Sequence, residues 1–124
     1  MSMDLTAELT ASKNPSTKLG ASNGNPEAQL TVDVYQSAND VVVRSAIAGV
    51  EAKDLDITIA RDMVTIRGQR RSSETIRTTD FYHKELYWGA FSRSIILPCD
   101  IDVERARASI KNGVLTIRLP KLDN

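Results

Sequence analysis

Ala108-Ser109-Ile110-Lys111-Asn112-Gly113-Val114-Leu115-Thr116-Ile117-Arg118-Leu119-Pro120 is the stretch that decides the fold class. Ala106, Ala108 and Ile110 alternate ahead of Asn112-Gly113, and an Asn-Gly pair between alternating runs is a strong hairpin signal. Val114 to Leu119 resumes a strand and stops at Pro120, which has no N–H to give to a ladder. Upstream, Phe91, Arg93, Ile95 and Leu97 share one face of a strand that Pro98 ends, with Ser92, Ser94 and Ile96 on the other face. Leu55, Ile57 and Ile59 alternate with polar residues. Only Arg61-Asp62 breaks the pattern before Met63 to Arg67, so these two runs form a tight hairpin. Leu30, Val32 and Val34 alternate over Leu30 to Tyr35, and Val41 to Ile47 is rich in β-branched residues. Asp100 to Arg105 has room for one helical turn. Seven or eight short strands without a long amphipathic helix specify an all-β, antiparallel, immunoglobulin-like β-sandwich.

The flanks read differently. Residues 1–29 hold Asn14-Pro15-Ser16 and Leu19-Gly20-Ala21-Ser22-Asn23-Gly24-Asn25-Pro26 with no aromatic residue, a composition that buries too little apolar area to offset the entropy of ordering. The expectation is a flexible N-terminal arm, with one short helical turn over Met3 to Leu9. The folded domain then runs from 30 to 121, and residues 122–124 form a C-terminal stub. Gln69 to Asp80 is polar and reads as a solvated loop, with Phe81 to Leu86 a short strand inside the long connection.

Composition narrows the function. The chain has 124 residues, one domain's worth, of which 41% are apolar, 26% charged and 5% aromatic. Sixteen basic residues against sixteen acidic ones leave no net charge, which removes the general attraction on which nucleic-acid binding rests. No apolar run reaches the length of a membrane span. The N-terminus lacks the basic flank and apolar stretch of a secretory signal, so a cytoplasmic protein is expected. One cysteine, Cys99, and one histidine, His83, cannot complete a four-ligand zinc site of Cys and His.

Enzyme chemistry is not evident either. His83 and Glu85 would share a strand face and could hydrogen-bond, but no nucleophile accompanies them; a hydrolase built on the pair has no indicated substrate. Cys99 follows Pro98 at a strand end and reads as a small, partly buried side chain rather than a reactive thiol. The six glycines are scattered turn residues and form no phosphate loop. The expectation is a protein that is not an enzyme, with no cofactor and no metal.

Ala108-Ser109-Ile110-Lys111-Asn112-Gly113-Val114-Leu115 resembles the A-x-x-x-x-G-V-L signature of the small heat shock protein, or alpha-crystallin, family. Its marked positions are Ala108, Gly113, Val114 and Leu115. Ala46-Ile47-Ala48-Gly49-Val50, Met63 to Gly68, and Gly89-Ala90-Phe91-Ser92-Arg93 through Leu97-Pro98 resemble further family segments in the expected order. The resemblance covers about residues 30–121. It implies an ATP-independent holdase that binds partly unfolded client proteins and keeps them from aggregating.

It also implies sites. The spacing from Gly68 to Phe91 resembles the bacterial and plant branch, in which the loop strand crosses to a partner subunit. Phe81, Tyr82, His83 and Glu85 would then pair with a partner's edge, here Leu30, Val32 and Val34, to make a homodimer by strand exchange. Arg93 is expected near that contact with an acidic partner. Leu55 and Ile57, with Ala106 and Ala108, match the positions lining a slot for an apolar tail motif or client; Ile59 reads as core. The chain stops at Asn124 without an isoleucine-x-isoleucine tail, so a dimer is expected before any higher oligomer. Ala48 stands where proline is frequent, and Leu86 where many relatives have arginine. A second reading is a co-chaperone or adaptor sandwich of the related CS-domain type docking on a folded partner; the long loop favours the first.

Overall fold

Period-two alternation builds two stacked sheets. The computed structural model describes residues 10–11 and 27–122, residues 10–11 in their backbone course. In chain order the strands are β1 (Thr10–Ala11), β2 (Ala28–Gln29), β3 (Asp33–Gln36), β4 (Asp40–Ala46), β5 (Leu55–Ile59), β6 (Met63–Arg70), β7 (Gly89–Ile96), β8 (Arg107–Lys111) and β9 (Val114–Pro120). One sheet runs β1-β5-β6-β7-β2 and the other β3-β4-β9-β8. Pairing is antiparallel throughout except at β1–β5 and β2–β7, which are parallel.

The core lies between the sheets. β4 gives Val41 and Val43, β5 Ile57 and Ile59, and β6 Val64 and Ile66; Phe91 and Ile95 come from β7, and Leu115, Ile117 and Leu119 from β9. On each of these strands the residues that enter this core are two apart, while Val42 on β4 and Thr65 on β6 are buried between them, on the opposite face of their strands. The Asn112-Gly113 hairpin is present between β8 and β9. Asn112 has φ 53° and Gly113 φ 76°, the left-handed pair that a two-residue turn matching strand twist requires. The Gly113 carbonyl also accepts the Ile47 N–H at 2.8 Å, which ties the turn to the end of β4. The turn after Asp100 is a 3₁₀ turn at Val103–Arg105, whose N-terminal Asp102 carboxylate accepts the Glu104 N–H at 3.2 Å.

The structure corrects three expectations. Leu30 to Tyr35 is not one strand. Ala28–Gln29 pairs with Phe91 and Ser92 of β7, while Asp33–Gln36 pairs with β4 in the opposite sheet. The chain therefore crosses between layers over residues 30–32, with Leu30 and Val32 turned to the core and all four residues of β3 exposed beyond them. Phe81 to Leu86 has no strand, since within one chain no ladder partner lies beside it; a 3₁₀ turn at Thr78–Asp80 precedes it. β6 continues to Arg70, past the expected start of the loop at Gln69, because Gln69 and Arg70 pair with Ala90 and Gly89. The helical turn expected over Met3 to Leu9 lies outside the described residues.

Candidate functional site

The crossing creates the first feature of the site. Residues 30–32 leave one ladder before joining the next, so their carbonyls need other donors. Arg93 Nη1 donates to the Leu30 carbonyl at 2.9 Å, and Ser45 Oγ donates to the Thr31 carbonyl at 2.7 Å. The Leu30 N–H still reaches the Ser92 carbonyl at 3.1 Å, and Ser92 Oγ donates to the Glu27 carboxylate at 2.9 Å. Within its own chain, Arg93 thus has the Leu30 carbonyl as a hydrogen-bond partner. Its position in a row with Phe91 and Ile95 explains why the charge is tolerated: a half-buried guanidinium holds the carbonyl where the chain turns away.

The crossing also defines an edge. β3 is the outer strand of its sheet, with β4 on one side, and all four of its residues are exposed. Of the three residues expected along this edge, Val34 is on it, Val32 is half-buried against the core, and Leu30 is inside. The Ser37 N–H donates to the Asp40 carbonyl at 2.8 Å, which closes the β3–β4 hairpin and sets its phase. Tyr35 and Asp33 then face their β4 partners through the ladder, and the peptide groups of Val34 and Gln36 point outward.

The long connection carries the apolar surface. Tyr82 is 98% exposed and Leu86 73%, and Ile76, Tyr87 and Trp88 are also exposed large side chains. Phe81 is half-buried, with Lys84 Nζ 5.3 Å from its ring centre. His83 and Glu85 both stand in solvent without a hydrogen bond between them, so the pairing expected on a strand does not form. The C-terminal end of the connection is fixed: Tyr87 OH donates to the Ala90 carbonyl at 2.6 Å.

The slot residues divide by depth. Ile57 and Ala108 are buried in the core, whereas Leu55 and Ala106 are half-exposed and packed against it. Ile59 is core, as expected. Of the signature residues, Ala108 and Leu115 are buried, Gly113 makes the turn, and Val114 is half-buried on the outer side. Cys99 is half-buried against the core. Among the described residues no three His, Cys, Asp or Glu side chains gather as a metal site would need, and no helix is long and apolar enough to cross a membrane.

Sequence reasoning missed two things. Ser45 was the one signal for the crossing, a hydroxyl on the inward face of an otherwise apolar strand. The other is Ile96, 81% exposed at the end of β7, opposite Met63 at the start of β6.

A β-sandwich with a bare edge, a long apolar connection and the Asn112-Gly113 turn docked on β4 corresponds to a known family, since the Hsp20/alpha crystallin pattern matches residues 33–124. The chain belongs to this family of small heat shock proteins. Its members are known as chaperones. Spore protein SP21 of Stigmatella aurantiaca is 34% identical over 98 residues, covering 79% of this chain and 58% of its own length. Among solved small heat shock proteins, heat shock protein 16.0 from Schizosaccharomyces pombe superposes with a TM-score of 0.74 at 28% identity, covering 83% of this chain and 73% of that one. The hspA protein from Xanthomonas axonopodis does so with a TM-score of 0.69 at 29% identity, covering 77% and 96%. The chain spans slightly more than half the length of the first curated relatives it matches.

Proposed function

We propose that this chain is an ATP-independent holdase that binds partly unfolded client proteins and suppresses their aggregation in the cytoplasm, without catalysis or cofactor. The observation that carries this reading is the pairing of a bare four-residue edge with a connection rich in exposed large apolar side chains, in a chain of a chaperone family. Exposed apolar patches mark interaction sites, and an unpaired edge is a template for another chain.

The working unit is a homodimer. The segment Phe81 to Leu86 of each subunit leaves its own body and adds to β3 of the other, placing Tyr82, His83 and Glu85 beside Asp33–Gln36. In that arrangement Arg93 and Leu30 support the edge from beneath, and Val34 lies along it. A small heat shock protein from Xylella fastidiosa, 27% identical in sequence, is described as having a distinct high order structure, which supports self-association of this chain. Leu55 and Ala106 form the reachable rim of an apolar slot whose floor is Ile57 and Ala108; burial there is worth about 1.5–3 kcal/mol for each large guest side chain. The folded domain takes in Ala28–Gln29, which pair with β7, and runs to 121, with the residues ahead of it as an arm and 122–124 as a stub.

The test is light scattering of a heat-aggregating client with and without this protein, ATP omitted. Suppression near a stoichiometric ratio is the expected result. Unchanged aggregation at a several-fold excess overturns the reading.

A further inference from the structure

The chain's zero net charge is unevenly laid out. Among the described residues five cations are in ion pairs, Arg70 and Arg93 donate to carbonyls, Lys84 lies over the Phe81 ring, and Arg67 also has a partner. Arg44, Arg105, Arg107, Lys111 and Lys121 are left, their side chains without an ion pair or hydrogen bond among the described residues. All of them lie on the outer face of the β3-β4-β9-β8 sheet or at its end. We propose that this face binds a linear inorganic polyphosphate, an anion recognised through its phosphate oxygens alone. The face is separate from the β3 edge and from the slot of Leu55 and Ala106.

Strand register gathers the cations. Ala108 and Ile110 of β8 are buried, so Arg107, Ser109 and Lys111 share the outer face, and Thr116 and Arg118 of β9 share it with them. Arg107 stands directly opposite Arg118, and Ser109 opposite Thr116. Like charges placed directly across a ladder repel. Among the described residues one carboxylate, Asp40 at 3.8 Å from Arg118 Nη1, offsets the two arginines, and so exposed a contact holds weakly. An edge strand such as β8 gains from a charge that discourages pairing. Arg44 and Arg118, however, are on interior strands, where that need does not arise.

The cations form a track along β8. Arg107 and Lys111 are about 13 Å apart, four residues at the rise of a strand. Past Arg107 the track continues to Arg105 and Lys121, which line a polar cavity of about 350 Å³ with Asn39 and Asp40. Ser109 and Thr116, half-buried between Arg107 and Lys111, put hydroxyl donors on the path. Guanidinium, ammonium and hydroxyl groups all donate to phosphate oxygens. The carboxylates of the face, Asp33 and Asp40, belong to β3 and β4, away from β8. Binders of single-stranded nucleic acid add aromatic rings on which bases stack. The ring of this face, Tyr35, stands on β3 at the opposite edge of the sheet. A chain of phosphates without bases is therefore the better fit.

The experiment is binding of the full-length chain to an end-labelled linear inorganic polyphosphate, read by fluorescence anisotropy. Orthophosphate and a single-stranded RNA of equal phosphate count serve as competitors, and both should compete less well than unlabelled polyphosphate. With Arg105, Arg107, Lys111, Arg118 and Lys121 each on a phosphate, affinity should fall about a hundredfold from about 50 to about 200 mM salt, a log–log slope of about −3.5. Arg107→Gln should weaken binding and flatten the slope by about 0.7, and it relieves the repulsion with Arg118, so the fold is kept. Ser109→Ala should weaken binding with the slope unchanged, since it removes a hydrogen bond and no charge. Lys53→Gln, which removes a cation already paired with Glu51, should alter neither. No binding at about 50 mM salt, or equal losses in Arg107→Gln and Lys53→Gln, overturns the proposal. Orthophosphate competing as well at equal phosphate concentration would mean an isolated anion site, and RNA competing better would mean recognition of bases; either result also overturns it.

Discussion

The Phe91 ring lies against Gly68, its cross-strand partner, so closely that a Cβ at residue 68 would stand 2.7 Å from Phe91 Cζ and 2.9 Å from the Asp54 carbonyl. Arg70 sits over the same ring, 5.8 Å from its centre, and its Nε donates to the Ala48 carbonyl at 2.8 Å. The missing side chain at 68 is what lets the largest buried residue fill the end of the core. Gly68→Ala should overpack this site and destabilise the domain by about 1–3 kcal/mol. Urea unfolding followed by Trp88 fluorescence measures it; an unchanged midpoint would mean that the ring can move aside.

The Arg93–Leu30 contact predicts a second loss. In Arg93→Met the Leu30 carbonyl loses a charged donor at the crossing while the stem of the side chain is kept. The expected cost is about 1.5–3 kcal/mol, the range for a hydrogen bond to a charged group. Ser45→Ala, which strips the neighbouring Thr31 carbonyl, should cost about 1 kcal/mol. Because the two bonds hold adjacent residues, the double variant should depart from additivity, and a double-mutant cycle on unfolding free energies reads the coupling.

A third prediction concerns the turn. Gly113 has φ 76°, and a Cβ placed there would stand 3.4 Å from that of Ala48. Gly113→Val should cost at least about 1–2 kcal/mol through left-handed strain alone, lowering the thermal midpoint by several degrees. Asn112→Gly at the preceding position should be nearly neutral, since glycine takes that conformation freely.

The edge gives the fourth. Val34 presents its peptide group away from β4, so Val34→Pro removes an outward donor without breaking the β3–β4 ladder. The variant should remain folded by circular dichroism yet run as a monomer at micromolar concentration by multi-angle light scattering, where the unmodified chain runs as a dimer. A monomeric unmodified chain would contradict the strand exchange directly.

Much of the sandwich was legible because burial on one side writes itself as alternation, and because Asn112-Gly113 fits few other conformations. The hairpins at 61–62 and 112–113 and the inward rows of β5, β7 and β9 follow from that. The crossing at 30–32 was not legible. Leu30, Val32 and Val34 keep the same period whether the chain stays in one sheet or changes layer, and the bonds that stabilise the change come from Arg93, far along the chain. Likewise, Phe81 to Leu86 carries strand residues, but a strand exists only where a ladder partner does. Alternation assigns Ile57 and Ala108 to a face; whether that face is core or slot depends on how near the sheet edge each lies.

The passage of Ala28–Gln36 from one layer to the other has a mechanical consequence. That single run of backbone is stitched to β7 on one side and to β4 on the other, so it laces the two halves of the sandwich like a thread through two pieces of cloth. Prising the layers apart must first tear out one of those seams, and trimming the chain past Ala28 would loosen both.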